Sequence, residues 1–337
     1  MSTAIGTSAI QSTEPRFRAG TPLGDIVPAD PLRPVRITLI VAYAIGYCWW
    51  LRVEGLPIDR ISVAISVALF LGCGFIGKPR HVWRMLAIDS VLYAGMWYAY
   101  ERSRSAADAL GFPVQVQAMR NIDQFLFFGH DPNVVLQDHF WQKSVRWWDE
   151  IASTTYYTHF VFPVIALAIL WVVSHRQWVR FMKRFATLLG IACVMFVALP
   201  TAPPWMVSQQ YHLLEPLNRN AGRGFVALGF KGFVKSYKVA LGDGNAIAAM
   251  PSLHASFALI VPAFFLPWIK PKWLKGLVLL FPVMMLTSLV YLAEHWVIDG
   301  LIGWLIVAGS FWFWSRMEQR GRRHRANRAR VALGGLV

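Results

Sequence analysis

Two histidines and one aspartate are the residues of this chain best suited to covalent chemistry. His254 lies in Met250-Pro251-Ser252-Leu253-His254-Ala255, and His295 and Asp299 lie in Glu294-His295-Trp296-Val297-Ile298-Asp299-Gly300. On a helix, residues four apart share a face, so the Asp299 carboxylate can reach the His295 ring. A carboxylate there takes the proton of one ring nitrogen and turns the other toward a substrate, as the buried aspartate does in a Ser-His-Asp triad. An imidazole held that way can attack phosphorus. A second imidazole, His254, can protonate the departing oxygen and later deprotonate an incoming one. Two other readings compete. A histidine near a helix end is often an interfacial residue with its bonds satisfied. A His-x-x-x-Asp pair can also be half of a metal site, although only Asp243 and Glu294 stand close by as further ligands.

The elements that would have to position these groups are membrane spans. The chain has 337 residues, 56% of them hydrophobic, with mean hydropathy +0.43. Soluble domains contain about 45–50% apolar residues, so a polytopic membrane protein is expected. A span needs roughly 20 mostly apolar residues. Eight stretches qualify: about 35–51, 61–77, 84–100, 152–174, 185–206, 246–268, 275–294 and 297–315. Lys78 and Arg80, the cluster Lys270, Lys272 and Lys275, and the tail residues Arg320, Arg322, Arg323, Arg325, Arg328 and Arg330 all fall on one side. Positive residues mark the cytoplasmic side, so both termini are expected there.

This topology brings the histidines together. After His254 the chain runs about 15 residues inward, turns at the lysine cluster, and returns about 20 residues outward to His295. At 1.5 Å per residue these legs are roughly 23 and 30 Å, close to the hydrocarbon thickness. The two imidazoles are therefore expected at one depth, at the extracytoplasmic face.

Residues 1–34, rich in Pro, Ser, Thr and Gly, are expected to form a disordered cytoplasmic tail. Residues 35–315 form the membrane domain, and 316–337 a basic cytoplasmic tail. The formal charge of +15 fits membrane topology and anionic lipid; no nucleic-acid motif accompanies it. Cys48, Cys73 and Cys193 lie in apolar stretches without ligand-like spacing and read as small buried hydrophobes, not as a disulfide frame or metal site. Residues 229–241 set Phe230, Phe233, Val234, Tyr237 and Leu241 at helical spacing against Lys231, Lys235 and Lys238, which predicts an interfacial helix in the outer loop. Residues 123–129 read as an interfacial or re-entrant piece.

Pro251-Ser252-Leu253-His254 and His295-Trp296-Val297-Ile298-Asp299 resemble the second and third signatures of the type 2 phosphatidic acid phosphatase superfamily. Ala249-Met250-Pro251-Ser252-Leu253-His254-Ala255 is similar to its inositol phosphorylceramide synthase-like branch, as are Pro200-Thr201-Ala202-Pro203-Pro204-Trp205, Phe127-Phe128-Gly129-His130-Asp131-Pro132 and Thr158-His159-Phe160-Val161-Phe162-Pro163. The resemblance covers about residues 120–315. It implies a six-helix lipid phosphatase-like core, which here would lie within the all-α polytopic membrane protein of about eight transmembrane helices expected from the apolar stretches. It implies a metal-independent reaction without a cofactor, with His295 as the nucleophile that forms a phosphohistidine, Asp299 as its partner and His254 as the acid/base. Two family features are missing. The third signature opens with Ser288-Leu289 where Ser-Arg is usual, and the first signature, Lys then six residues then Arg-Pro, is absent. Phosphoryl transfer depends on charge neutralisation, so other cations should stand in. Arg219, Arg223, Lys231, Lys235 and Lys238 are the candidates. Ser252, Asn245 and His159 are further candidate contacts to a phosphorylated head group.

The leading expectation is a phosphotransferase that moves a phosphorylated head group from a phospholipid or polyprenyl-phosphate donor to a lipid or glycan acceptor in a bacterial inner membrane. Alternatives are a lipid phosphate phosphatase using water, and, from another class, an anionic lipid transporter.

Overall fold

The computed structural model describes residues 31–54, 60–106, 110–219, 221–229 and 247–334. The tail before residue 31, the outer-loop stretch 230–246 and the last three residues lie outside it. The predicted amphipathic helix at 229–241, with Lys231, Lys235 and Lys238, and the candidate Asn245 are therefore not described.

Among the described residues the chain is all helical. The helices are α1 (Arg33–Glu54), α2 (Arg60–Phe75), α3 (Arg80–Ala106), α4 (Ala118–Leu126), α5 (Pro132–Phe140), α6 (Trp147–Val173), α7 (His175–Ala198), α8 (Pro204–Gln209), α9 (Arg223–Ala227), α10 (Leu253–Phe265), α11 (Lys272–Tyr291) and α12 (Val297–Gly334). Each of the eight apolar stretches is helical over most of its length. Trp147–Val173, His175–Ala198, Lys272–Tyr291 and Val297–His324 are long and apolar enough to cross a membrane. The fold is that of an all-α polytopic membrane protein.

Three boundaries differ from the expected ones for identifiable reasons. The stretch expected from residue 246 becomes helical only at Leu253. Pro251 disfavours helical geometry at the residue before it, and Ser252 caps the helix by accepting from Ala255 N at 3.3 Å. Helix α7 begins ten residues before its apolar run, because Arg180 and Arg184 pair with Glu318 of α12 at 2.6 and 2.9 Å. Helix α12 runs on through the basic tail to Gly334; Arg, Gln, Glu and Met are good helix formers. Cys48, read as a small hydrophobe in an apolar stretch, is exposed on α1.

One core joins α3, α6, α7, α10 and α12 through Tyr100, Trp171, Phe181, Phe185, Phe257 and Val307. A second joins α6, α9, α10 and α11, and a third gathers α4, α8 and the turn before α12. These last two meet at residues 289–296, between α11 and α12. On α4, Met119 and Asp123 are buried while Ile122, Phe125 and Leu126 are exposed.

Helices α10 and α12 pack tightly at Gly303. A Cβ there would lie 2.4 Å from Ser256 Oγ and 2.8 Å from the Ser252 carbonyl oxygen. Alanine in a helix normally gains about 1 kcal/mol over glycine, but overpacking of this kind costs about 1–3 kcal/mol. The backbone contact cannot yield, so the clash should win. Gly303→Ala is expected to lower the unfolding temperature and to move α12 away from Ser252, which a thermal melt and an activity assay would register together. A variant more stable than the parent would contradict this packing.

Candidate active site

The structure brings His254, His295 and Asp299 into one cluster. His254 sits in the first turn of α10, just after the Ser252 cap. His295 Nε2 lies 3.2 Å from His254 Nδ1, and His295 Nδ1 lies 3.3 Å from Asp299 Oδ2. Asp299 is fully buried and His295 7% exposed; a carboxylate only accepts, which assigns the proton of the His295 ring to Nδ1 and leaves Nε2 as the lone-pair nitrogen on the side of His254. The two signatures are also tied through their backbones, since Ser252 N donates to the Asp299 carbonyl at 3.0 Å.

His295 does not share a helix with Asp299. It lies in the turn between α11 and α12, and α12 begins at Val297. The two still meet because Asp299 folds back over the helix start, where its Oδ2 also accepts from Trp296 N at 3.0 Å. A helix leaves its first N–H groups without internal partners, and a carboxylate in the first turn satisfies one of them.

The turn carrying His295 is held from several sides. Asn133 of α5 donates to the carbonyls of Val290 and His295 at 2.8 and 3.2 Å. Gln137 donates to the Tyr291 carbonyl at 2.8 Å. Trp205 N donates to the Ala293 carbonyl at 3.1 Å. The fully buried Trp296 donates its indole N–H to the Ala202 carbonyl at 2.8 Å. Burying an aromatic of this size is worth about 3–5 kcal/mol. That outweighs the about 1–2 kcal/mol cost of Ala293 at φ +59°, in the left-handed region.

His254 packs against α6. Its ring stacks on His159 at a centroid distance of 3.9 Å and on Tyr156 at 4.7 Å. His159 in turn stacks on Phe257 at 4.9 Å. His159 is thus a buried neighbour of the second histidine.

The remaining sequence-predicted residues divide. Ser252 is fully buried, and its hydroxyl accepts the capping bond from Ala255 N. Arg219 reaches the vicinity of His295: it binds both carboxylate oxygens of the adjacent Glu294, at 3.0 and 3.3 Å, over the Trp205 ring. Arg223 is placed elsewhere. It is 7% exposed, pairs with Asp149 at 3.5 Å, donates to the carbonyls of Gln142 and Ser144, and lies over Trp141. Asp149 also accepts from Tyr291 at 2.6 Å, so Arg223 straps the loop before α6 and the first turn of α6 to the end of α11. Among the described residues no group of three or more His, Cys, Asp or Glu side chains could hold a metal ion.

Sequence reasoning missed Asp123. Its carboxylate, fully buried, accepts from Val297 N at 2.7 Å and Ile298 N at 2.9 Å. Burial pushes its carboxyl up to about 7, against the two N–H donors that pull it down, and Asp299 and Asp131 add to the rise. The available signal was its spacing from Met119, which places both on one face of α4. The sequence around it, dominated by phenylalanines, reads as a membrane-surface piece.

Comparison with known proteins places the chain in a family. The chain is 24% identical over 317 residues to the phosphoinositol dihydroceramide synthase of Bacteroides thetaiotaomicron, an alignment covering 87% of this chain and 96% of that one. No solved structure matches it. The profile of the PAP2 superfamily matches residues 117–313, which include α4 to α11, most of the apolar part of α12 and the His254–His295–Asp299 cluster. That match spans more than half of the chain, and with four membrane-length helices behind it, this integral membrane protein belongs to the PAP2 superfamily.

Proposed function

We propose that this enzyme moves a phosphorylated head group from a lipid donor to a hydroxyl of a lipid or glycan acceptor, through a covalent intermediate on His295. The observation that carries the reading is the orientation of His295: Nδ1 against the buried Asp299 and Nε2 facing the second imidazole 3.2 Å away. In the first step Nε2 attacks phosphorus, the P–O bond to the donor's alcohol breaks, and His254 gives that oxygen its proton. In the second step the acceptor hydroxyl attacks phosphorus, its proton passes to His254, and the P–N bond breaks. Asp299 balances the imidazolium charge on His295 throughout and needs no proton of its own. Phosphorus on Nε2 takes the place of the direct contact between the rings.

Arg219 is the described cation best placed to meet the phosphate, since its present partner Glu294 adjoins His295. An incoming phosphate would compete with Glu294 for the guanidinium. Arg223, fully engaged by Asp149 and two carbonyls, is assigned to the scaffold. The basic clusters at 78–80, 270–275 and 320–330 support cytoplasmic termini and a site on the extracytoplasmic side.

The name of the Bacteroides relative points to a phosphoinositol group and to dihydroceramide, so a phosphoinositol-bearing lipid such as phosphatidylinositol is the first donor to try and dihydroceramide the first acceptor. Product analysis of purified protein, with and without the acceptor alcohol, tests the reading. The expected result is a new phosphorylated lipid that forms only when the acceptor is present. Release of inorganic phosphate alone, unaffected by acceptor, would replace the transferase with a phosphatase in which water performs the second step.

A further inference from the structure

We propose that Asp123 is a positioning residue for the catalytic pair: its carboxylate, delivered from α4, closes the start of α12 and so sets where His295 and Asp299 stand relative to His254. The proposal rests on the reading of His295 and Asp299 given above.

Helix α12 opens with N–H groups that its own backbone cannot satisfy. Asp299, within the helix, takes one of them, from Trp296 at 3.0 Å. The next two, from Val297 and Ile298, both go to Asp123, one to each carboxylate oxygen, at 2.7 and 2.9 Å. The capping group therefore comes from a residue 174 positions away in the chain, and not from the residue preceding the helix, where a cap normally stands. Trp296, at the head of the helix, separates His295 from these bonds, and Asp299 lies one residue beyond them. A small displacement of this turn would move both partners of the His295–Asp299 pair at once.

Both carboxylate oxygens of Asp123 are taken up by these N–H groups. Asp123 is fully buried, with Met119, on the inner face of α4. Its charge environment is also specific: Asp299 and Asp131 lie close enough to raise its pKa, and Asp131 is itself held by Arg120 at 2.7 and 2.9 Å. A buried carboxylate placed near a second one is retained against its desolvation cost. The two N–H bonds at the catalytic turn are the return visible in the structure.

The test compares Asp123→Asn and Asp123→Ala with the parent in detergent micelles. The reaction followed is head-group transfer from phosphatidylinositol, or hydrolysis of phosphatidic acid if that is what the parent turns over. Asparagine keeps one acceptor oxygen, so kcat should fall in the order parent, Asn, Ala. The alanine variant should lose about 10- to 100-fold, the scale known for hydrogen-bonding groups that orient the ligands of metal sites from behind. KM should stay within about threefold, because both Asp123 oxygens are engaged by the helix start. The decisive readout is a double-mutant cycle with Asp299→Ala. If Asp123 works through the His295–Asp299 pair, the double variant should be scarcely slower than Asp299→Ala alone. Losses that multiply fully, an unchanged kcat, or an asparagine variant that no longer folds would each overturn the proposal. His295→Ala in the same assay separates the two levels: if it stays active, the covalent reading fails, whereas an inactive His295→Ala beside a fully active Asp123→Ala removes only the role given to Asp123.

Discussion

His295→Ala is expected to abolish turnover, with a loss of at least about 10⁴-fold, while the helical bundle stays folded. The size follows from removing the nucleophile itself, which disables both half-reactions together; covalent enzymes stripped of the attacking residue keep only what binding and charge stabilisation provide. The fold should survive because the turn is held by contacts that alanine preserves. The Asn133 side chain bonds the His295 carbonyl, Trp205 N bonds the Ala293 carbonyl, and Trp296 is anchored on Ala202. What the variant loses locally is one neighbour of the Asp299 carboxylate, which retains Trp296 N. A stability loss of about 1–3 kcal/mol is the scale for a buried polar group that loses one partner. A thermal melt beside the assay distinguishes a dead site from a lost fold.

The second large effect is expected at His254, and it depends on the leaving group. With a lipid alcohol as leaving group, His254→Ala should slow turnover by about 10²- to 10⁴-fold, the usual contribution of a positioned proton donor. A nitrophenyl phosphoester needs no proton to depart, so its first step should persist in the same variant. The second step still lacks the group that deprotonates the acceptor. The variant should then release about one equivalent of nitrophenol in a burst and stall with the phosphoryl group on His295. Rapid mixing with absorbance detection reads this directly. The stacks of His254 with His159 and Tyr156 would be lost, so His254→Gln is the companion variant that retains more of the packing. Equal loss on both substrates, with no burst, would mean that His254 does something other than proton transfer.

Both effects depend on a convergence that is legible in the amino-acid sequence. Two apolar legs of matching length, joined at Lys270 to Lys275, put His254 and His295 at one depth, and the rings are in contact. The local geometry is harder to read. Helical spacing leads from His295 to Asp299 correctly but for an incomplete reason: His295 precedes the helix, and Asp299 reaches it by folding back over the helix start. The start of α10 is obscured by hydropathy, because Ala246 to Met250 are as apolar as the helix that follows; the structural information lies in Pro251 and Ser252. Asp123 is out of reach for another reason. Its partners are backbone N–H groups 174 and 175 positions away, and any residue type offers those. Arg219 and Arg223 look alike in sequence, two cations in one loop. Glu294 draws one toward His295, and Asp149 holds the other in the scaffold, a division set by which carboxylate lies nearby in space.

The most direct test of the central claim is to quench the enzyme during turnover of a phosphorus-labelled donor and map the label. A phosphoryl group or phosphorylated head group on the His295 peptide, lost in mild acid as a P–N bond should be and absent from His295→Ala, is the predicted result. An actively turning over enzyme whose label never appears on His295, or appears on another side chain, would contradict the account.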